Sequence, residues 1–302
     1  MSSNVYLFVI SSLNDPIYRK IQTKRRSLLC HYGIPYTVLI NHDESKLDDN
    51  TESTLVPLND EEIMYNGGGY NPYMAQKFLM AVKMFFRSFK NYDDIPNYIV
   101  RINATVYVHY PSLLKVLNDK SFPRNRVLAG INWGDIFVQG MVMVFSKDVL
   151  ANMLNDPRMY SKEIMKNNDD VSLSILADPY SKWIDWSKYT CAMRGCATDD
   201  KGVYLLEKIK PLENEKWIFR INEPADGRYV DSINWDGLLE YFNEIKFTTP
   251  PPQQKKKKPS HKNKWILLFL FLLAVYAIIK LRKRKIDWKS LNKKLKQCYN
   301  LF

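Results

Sequence analysis

The sequence predicts an α/β protein: a mixed sheet flanked by helices over residues 1–247, followed by a single apolar helix near the C-terminus. Three observations predict it. Two apolar runs, residues 5–10 (VYLFVI) and 36–40 (YTVLI), bracket a basic helical stretch, the pattern of a β-α-β crossover. Residues 73–89 carry apolar side chains at helical spacing. Residues 98–111 (YIVRINATVYVHYP) then read as a buried strand that breaks at a polar bend and resumes.

The elements follow in order. The run 5–10 is a central strand ending in a Ser/Asn/Pro loop, and a helix over 17–31 leads through Gly33 and Pro35 to the second strand. Residues 41–62 are acidic and loop-like. Residues 66–72 (NGGGYNP) form a turn, with Asn71 as N-cap and Pro72 opening the next helix. The triple glycine lacks the strand and spacing of a phosphate-binding loop, so a flexible turn is the better reading. In that next helix Phe78, Leu79, Val82, Phe85, Phe86 and Phe89 face a core, with Lys77, Lys83, Arg87 and Lys90 outside. After the focal strand come a helix over 112–118, a strand at 127–131, a Gly-punctuated loop and strand over 133–144, and a helix capped by Ser146 that runs to about 155. Asp169-Asp170 lead into a helix over 171–177. Residues 180–247 hold short aromatic-rich strands and end in an amphipathic helix near 235–245.

The net charge of +12 divides unevenly. Residues 248–302 hold 15 Lys/Arg against Asp287, a net of +14; the first 247 residues carry 29 basic and 31 acidic side chains, a net of −2. The folded part is therefore not basic, and specific nucleic-acid binding loses its support there. Cys191 and Cys196 have no His or Cys close enough to complete a zinc site, and the histidines show no ligand spacing. The N-terminus lacks the pattern of a secretion signal, which leads to the expectation of a cytosolic main domain.

Residues 248–264 are a Pro/Lys-rich linker. Residues 265–281 are the expected transmembrane helix, about 25 Å long, with Lys264 and Lys280 able to snorkel and Trp265 at the interface. The flanking Lys/Arg, including those of the basic tail 282–302, would meet anionic lipid.

Several segments together carry a resemblance. Tyr70-Asn71-Pro72 precedes the long helix, and Tyr98-Ile99-Val100-Arg101-Ile102-Asn103 ends a strand. Residues 139–148 (QGMVMVFSKD) place Gly140 before a strand and a Ser-capped helix. Asp169-Asp170-Val171 opens a helix, and Phe219-Arg220-Ile221-Asn222 with Arg228 and Asp231 closes the domain. In this order they resemble GT-A-type glycosyltransferases, a Rossmann-like class, and within it the Fringe/β-1,3-galactosyltransferase group and glycosyltransferases of large DNA viruses. The resemblance implies transfer of a sugar from a nucleotide-sugar to a hydroxyl acceptor on a glycan or protein. It also implies a viral or infected-host membrane.

That resemblance implies roles residue by residue. Ser11, Ser12 and Asn14 fall where the family's nucleotide sits, although such residues also make ordinary turns. The family's Mn²⁺-binding carboxylates fall where this chain has Asn103-Ala104-Thr105, a poor ligand set for a hard cation, so the sequence does not support Mn²⁺. The expectation is transfer without a metal, with Arg101 or the first-helix cations Lys24, Arg25 and Arg26 meeting the diphosphate, or loss of catalysis with the fold retained for binding. Arg101 has an equal alternative as a structural ion-pair partner. Asp170, with Asp169 second, is the expected base, and capping is the competing explanation. Asn103-Ala104-Thr105 also matches a glycosylation sequon, read as accidental.

Overall fold

In the computed structural model, residues 4–12, 16–41, 54–57, 62–66, 74–134, 136–193, 216–221 and 229–248 are described. The chain divides into two compact units, Met1–Pro250 and Pro251–Phe302, and every described residue belongs to the first. The linker, the 265–281 span and the basic tail lie outside the described residues, as do Asn14, Gly67–Gly69, Asn71, Pro72, Cys196, Asn222 and Arg228. Among the described residues no helix is long and apolar enough to cross a membrane.

The strands are β1 (Val5–Ser12), β2 (Tyr36–Asn41), β3 (Thr54–Pro57), β4 (Glu62–Asn66), β5 (Tyr98–Asn103), β6 (Val106–Val108), β7 (Val127–Gly130), β8 (Asn132–Trp133), β9 (Phe137–Val138), β10 (Val142–Ser146), β11 (Lys182–Asp185), β12 (Thr190–Met193) and β13 (Ile218–Ile221). The helices are α1 (Pro16–His31), α2 (Met74–Arg87), α3 (Tyr110–Asn118), α4 (Lys147–Asn155), α5 (Lys162–Met165), α6 (Asp169–Ala177) and α7 (Tyr229–Tyr241). The main sheet runs β11-β7-β10-β5-β1-β2-β4-β3, and a smaller sheet runs β12-β13-β6. β1 is parallel to both β2 and β5, whereas β10 is antiparallel to β5 and β7. This is the mixed, helix-flanked sheet that the sequence predicts.

Both faces of the sheet are covered, which is why its strands read as continuous apolar runs rather than alternating ones. Leu7, Val9, Val100, Ile102 and Val144 pack with Ile21 and Leu28 of α1 and with Trp235 and Leu238 of α7. Phe8, Ile10, Ile99, Met143 and Phe145 point the other way, onto Phe78 of α2, Leu150 of α4 and Leu173 of α6. The period-2 side-chain alternation of each strand sorts the residues between these two cores.

Four expectations are corrected. Residues 41–62 are not simply a loop: they hold β3, the start of β4 and the last residue of β2. The short apolar stretches there are interrupted by acids, and Pro57 is accommodated because β3 is an edge strand. The last helix runs from Tyr229 to Tyr241, not 235–245. It buries Asp231, Ser232 and Asn234 beside Trp235 and Leu238, which hides its inward face from an apolar count, and Asn243 turns the chain away at φ 56°. Ser146 precedes α4 but does not cap it with its side chain; the buried hydroxyl accepts the Val127 N–H at 2.8 Å instead. Finally, Asp169 and Asp170 are the first residues of α6 rather than residues ahead of it.

Candidate functional site

The chain leaves β1 through α1 to β2 on one side and returns through α2 to β5 on the other. α1 packs in one face's core and α2 in the other's. The order of the strands therefore reverses between β1 and β5, and their carboxyl ends form the crevice where open α/β sheets take ligands. Ser11, Ser12, Asn103, Ala104 and Thr105 all lie at this edge, with Ile10 opposite Asn103 in the register.

The bend after β5 is tied on every side. Asn103 N–H donates to Met141 O at 3.1 Å and Ala104 N–H to Ile10 O at 2.8 Å. The Arg25 guanidinium donates to Ala104 O at 2.8 Å and to Val106 O at 2.6 Å, and Trp235 Nε1 donates to Thr105 O at 3.3 Å. Arg25 is fully buried, with its guanidinium carbon 4.9 Å from the centre of the Trp235 ring, so its charge is compensated by carbonyl dipoles and a π face. Burial lowers its pKa from the ordinary arginine value. The sequence-level placement of Arg25 against the diphosphate is thus corrected: its donors hold the bend from the α1 side. Arg26, its neighbour, is exposed on the same helix.

On the opposite face, Arg101 is also fully buried. Its guanidinium donates to Gly140 O and to the Asp169 carboxylate. Asp170 receives the Gly140 N–H at 3.1 Å and its own neighbour's N–H, from Val171, at 3.0 Å. Gly140 is thereby gripped at both its N–H and its carbonyl, and a Cβ there would stand 2.9 Å from Arg101 Nη1 and 3.1 Å from Asp170 Cβ. Only glycine fits without displacing one of them. Four residues named from the sequence, Arg101, Gly140, Asp169 and Asp170, meet at one point. Of the alternatives for Arg101, the ion pair is present.

Ser11 is buried at the end of β1, and the backbone of Ser12 pairs with Asn41 at the same edge. Thr105 is buried, and Asn103 Oδ1 is buried with no hydrogen-bond partner among the described residues. The described residues at the bend do not fit the divalent cation implied by the resemblance. The bend offers one neutral amide oxygen, the Asp169 carboxylate is engaged by Arg101, and no three His, Cys, Asp or Glu side chains gather at metal-binding spacing among the described residues.

A second polar cluster lies beneath the bend, and sequence reading missed it. Glu244, buried after α7, accepts from Tyr32 Oη at 2.7 Å and from Tyr107 Oη. His109 Nε2 stands 3.9 Å from Glu244, its Nδ1 is 2.8 Å from Ser112 Oγ, and its ring stacks on Phe242. Burial raises the Glu244 pKa and lowers that of His109 to about 4. Its members come from positions 32 to 244, so no local pattern announces it.

No protein-family model and no curated protein matches this sequence. Solved structures similar to it include glycosyltransferases. One is a glycosyltransferase involved in glycosylation of the major capsid of PBCV-1, at 10% identity and a TM-score of 0.44 over 76% of this chain and 98% of that one. Another is galactosyltransferase LgtC in complex with donor and acceptor sugar analogues, at 10% identity and a TM-score of 0.40 over 82% and 98%. A third is the apo glycosyltransferase GlyE of Streptococcus pneumoniae TIGR4, at 12% identity and a TM-score of 0.39 over 84% and 66%.

Proposed function

We propose that the crevice at the carboxyl ends of β1 and β5 binds a nucleotide-sugar and transfers its sugar to a hydroxyl acceptor. The observation that carries this reading is the meeting of two α6 carboxylates with the β5 terminus at Gly140, beside the switch point of the sheet. Asn103 Oδ1, buried with no donor among the described residues, suits a ribose or sugar hydroxyl.

In this reading the acceptor oxygen forms a bond to the anomeric carbon while the bond from that carbon to the diphosphate oxygen breaks. The hydroxyl proton passes to Asp170, whose plane is set by two backbone N–H groups. Asp169 and Arg101 position Gly140 and, through it, Asp170. Arg101 with Asp169 and Asp170 sums to one negative charge, so the departing diphosphate is better placed toward α1. That helix follows β1, its first turn holds no acidic residue although Asp15 stands immediately before Pro16, and Arg26 is exposed further along. No step needs a divalent ion.

The reading includes attachment to a membrane through residues 265–281, with the flanking Lys/Arg against anionic lipid. Deleting residues 248–302 should move the protein from the membrane fraction to the soluble one.

The test is a panel of nucleotide-sugars with the full chain in detergent, following release of the nucleoside phosphate with and without chelator. Turnover should survive chelation and be abolished in Asp170→Asn with folding intact. Undiminished turnover in that variant would falsify the assignment of the base. A second reading, a binding module without transfer, is favoured by the engagement of both Asp170 oxygens with backbone N–H groups. It predicts donor binding with no turnover for any donor and acceptor.

A further inference from the structure

A second concavity opens at the other end of β5. It lies between the C-terminal turns of α2 and α4 and the segment entering β5, and has a volume of about 520 Å³. Ile95, at its base, precedes β5, and Asn103 at the crevice lies roughly 16 Å further along the strand at ~3.3 Å per residue from Tyr98. The two sites are therefore separate.

The lining divides into a charged side and an apolar side. Lys83 and Arg87 stand four residues apart on α2, on one face of the helix. Phe86, Phe89 and Leu154 supply partly exposed apolar surface beside them, with the exposed Tyr92 ring at the rim. No acidic residue lines the cleft. Lys83 Nζ reaches only a neutral group, Tyr160 Oη at 3.4 Å, and Arg87 has no ion-pair partner among the described residues. The nearby Asp94 carboxylate is bonded by Asn91 Nδ2 at 3.0 Å. A basic residue in the last turn complements the helix dipole, which accounts for Arg87 alone. It does not account for Lys83 a turn earlier, nor for aromatic rings left partly open to water beside both cations.

We propose that this cleft binds a free phosphate monoester carried on an aromatic body. Two cations match the charge of a phosphate dianion, and the Arg87 fork can engage two of its oxygens. The adjoining rings would cover one aromatic group. The cleft is open to solvent, and its volume lies within the range of small-molecule sites.

The test uses calorimetric titration of the full chain in detergent with phenyl phosphate, inorganic phosphate and phenol. Phenyl phosphate should bind about tenfold or more tightly than either fragment, and its affinity should fall with salt. The double variant Lys83→Ala/Arg87→Ala should weaken it about tenfold or more. Should that variant fail to fold, Arg87→Ala alone, at an exposed position, should still weaken phenyl phosphate severalfold. The variants lie far from the crevice, so undiminished affinity would mean that the ligand sits elsewhere and would overturn the proposal. Equal affinity for inorganic phosphate would also overturn it, as would capture by phosphatidic acid vesicles without binding of phenyl phosphate.

Discussion

Asp169, the first residue of α6, hydrogen-bonds the buried guanidinium of Arg101 near the end of β5, joining positions 68 residues apart. Because the Arg101 side chain is wholly inaccessible and that of Asp169 only 13% exposed, the pair is shielded from screening by salt. It holds the N-terminus of α6 against the crevice.

Removing one partner should cost more than removing both. Asp169→Ala leaves a buried cation without its counter-charge, and the expected loss is about 3–5 kcal/mol. Arg101→Met/Asp169→Leu should lose less than the sum of its single variants in urea denaturation. Strictly additive losses would mean that the two side chains do not interact in solution.

Gly140→Ala places a methyl group 2.9 Å from Arg101 Nη1 and 3.1 Å from Asp170 Cβ. The expected destabilisation is about 1–3 kcal/mol by thermal unfolding, accompanied by loss of any transfer activity, because both groups that grip Gly140 must move. Unchanged stability would show that this corner is looser than the geometry indicates.

Arg25→Met keeps the stem of the side chain but strips the donors from the carbonyls of Ala104 and Val106. Two buried acceptors left unmatched cost about 2–5 kcal/mol together. Arg25→Lys should recover little, because both carbonyls are held by one guanidinium nitrogen, Nη2, at the end of a rigid planar fork that a shorter lysine side chain does not reproduce. Full recovery by lysine in a denaturation series would count against the bend depending on that fork.

The cluster beneath the bend should make stability depend on pH. The folded pKa of His109, about 4, lies below the unfolded value of ~6.5, so the unfolded chain takes up the proton first as pH falls. This contribution is complete above the unfolded pKa and is lost between roughly pH 6.5 and 4, by no more than about 3 kcal/mol. Glu244 acts with the opposite sign: its raised pKa contributes when the carboxyl is protonated, and that part is lost as pH rises through the folded value. His109→Asn should abolish the loss between pH 6.5 and 4 in denaturant midpoints. An identical pH profile in that variant would remove His109 as its source.

The central strands were legible because burial on both faces demands long apolar runs, as in β1 and β5, and α2 was legible from its helical stripe, although Lys77, expected outside that stripe, is buried. The edge strand β3 and its neighbour β4 were not: β3 has one free edge and accommodates Pro57, and β4 is a short stretch that opens on Glu62. The start of α7 was hidden for a related reason: its buried face carries Asp231, Ser232 and Asn234.

By itself the sequence determined the α/β class, the bend after β5, the neutrality of Asn103-Ala104-Thr105 and the separation of a near-neutral domain from a basic tail. These depend on local periodicity and composition, which a linear chain carries in full. Only the tertiary structure decided what the charged residues do. Arg25 and Arg101 are similar cations in the sequence, yet packing on opposite faces of the sheet turns one toward the bend's carbonyls and the other toward Gly140 and Asp169. A buried charge takes its role from the dipoles and counter-charges brought to it, and here those come from residues 39 to 210 positions away.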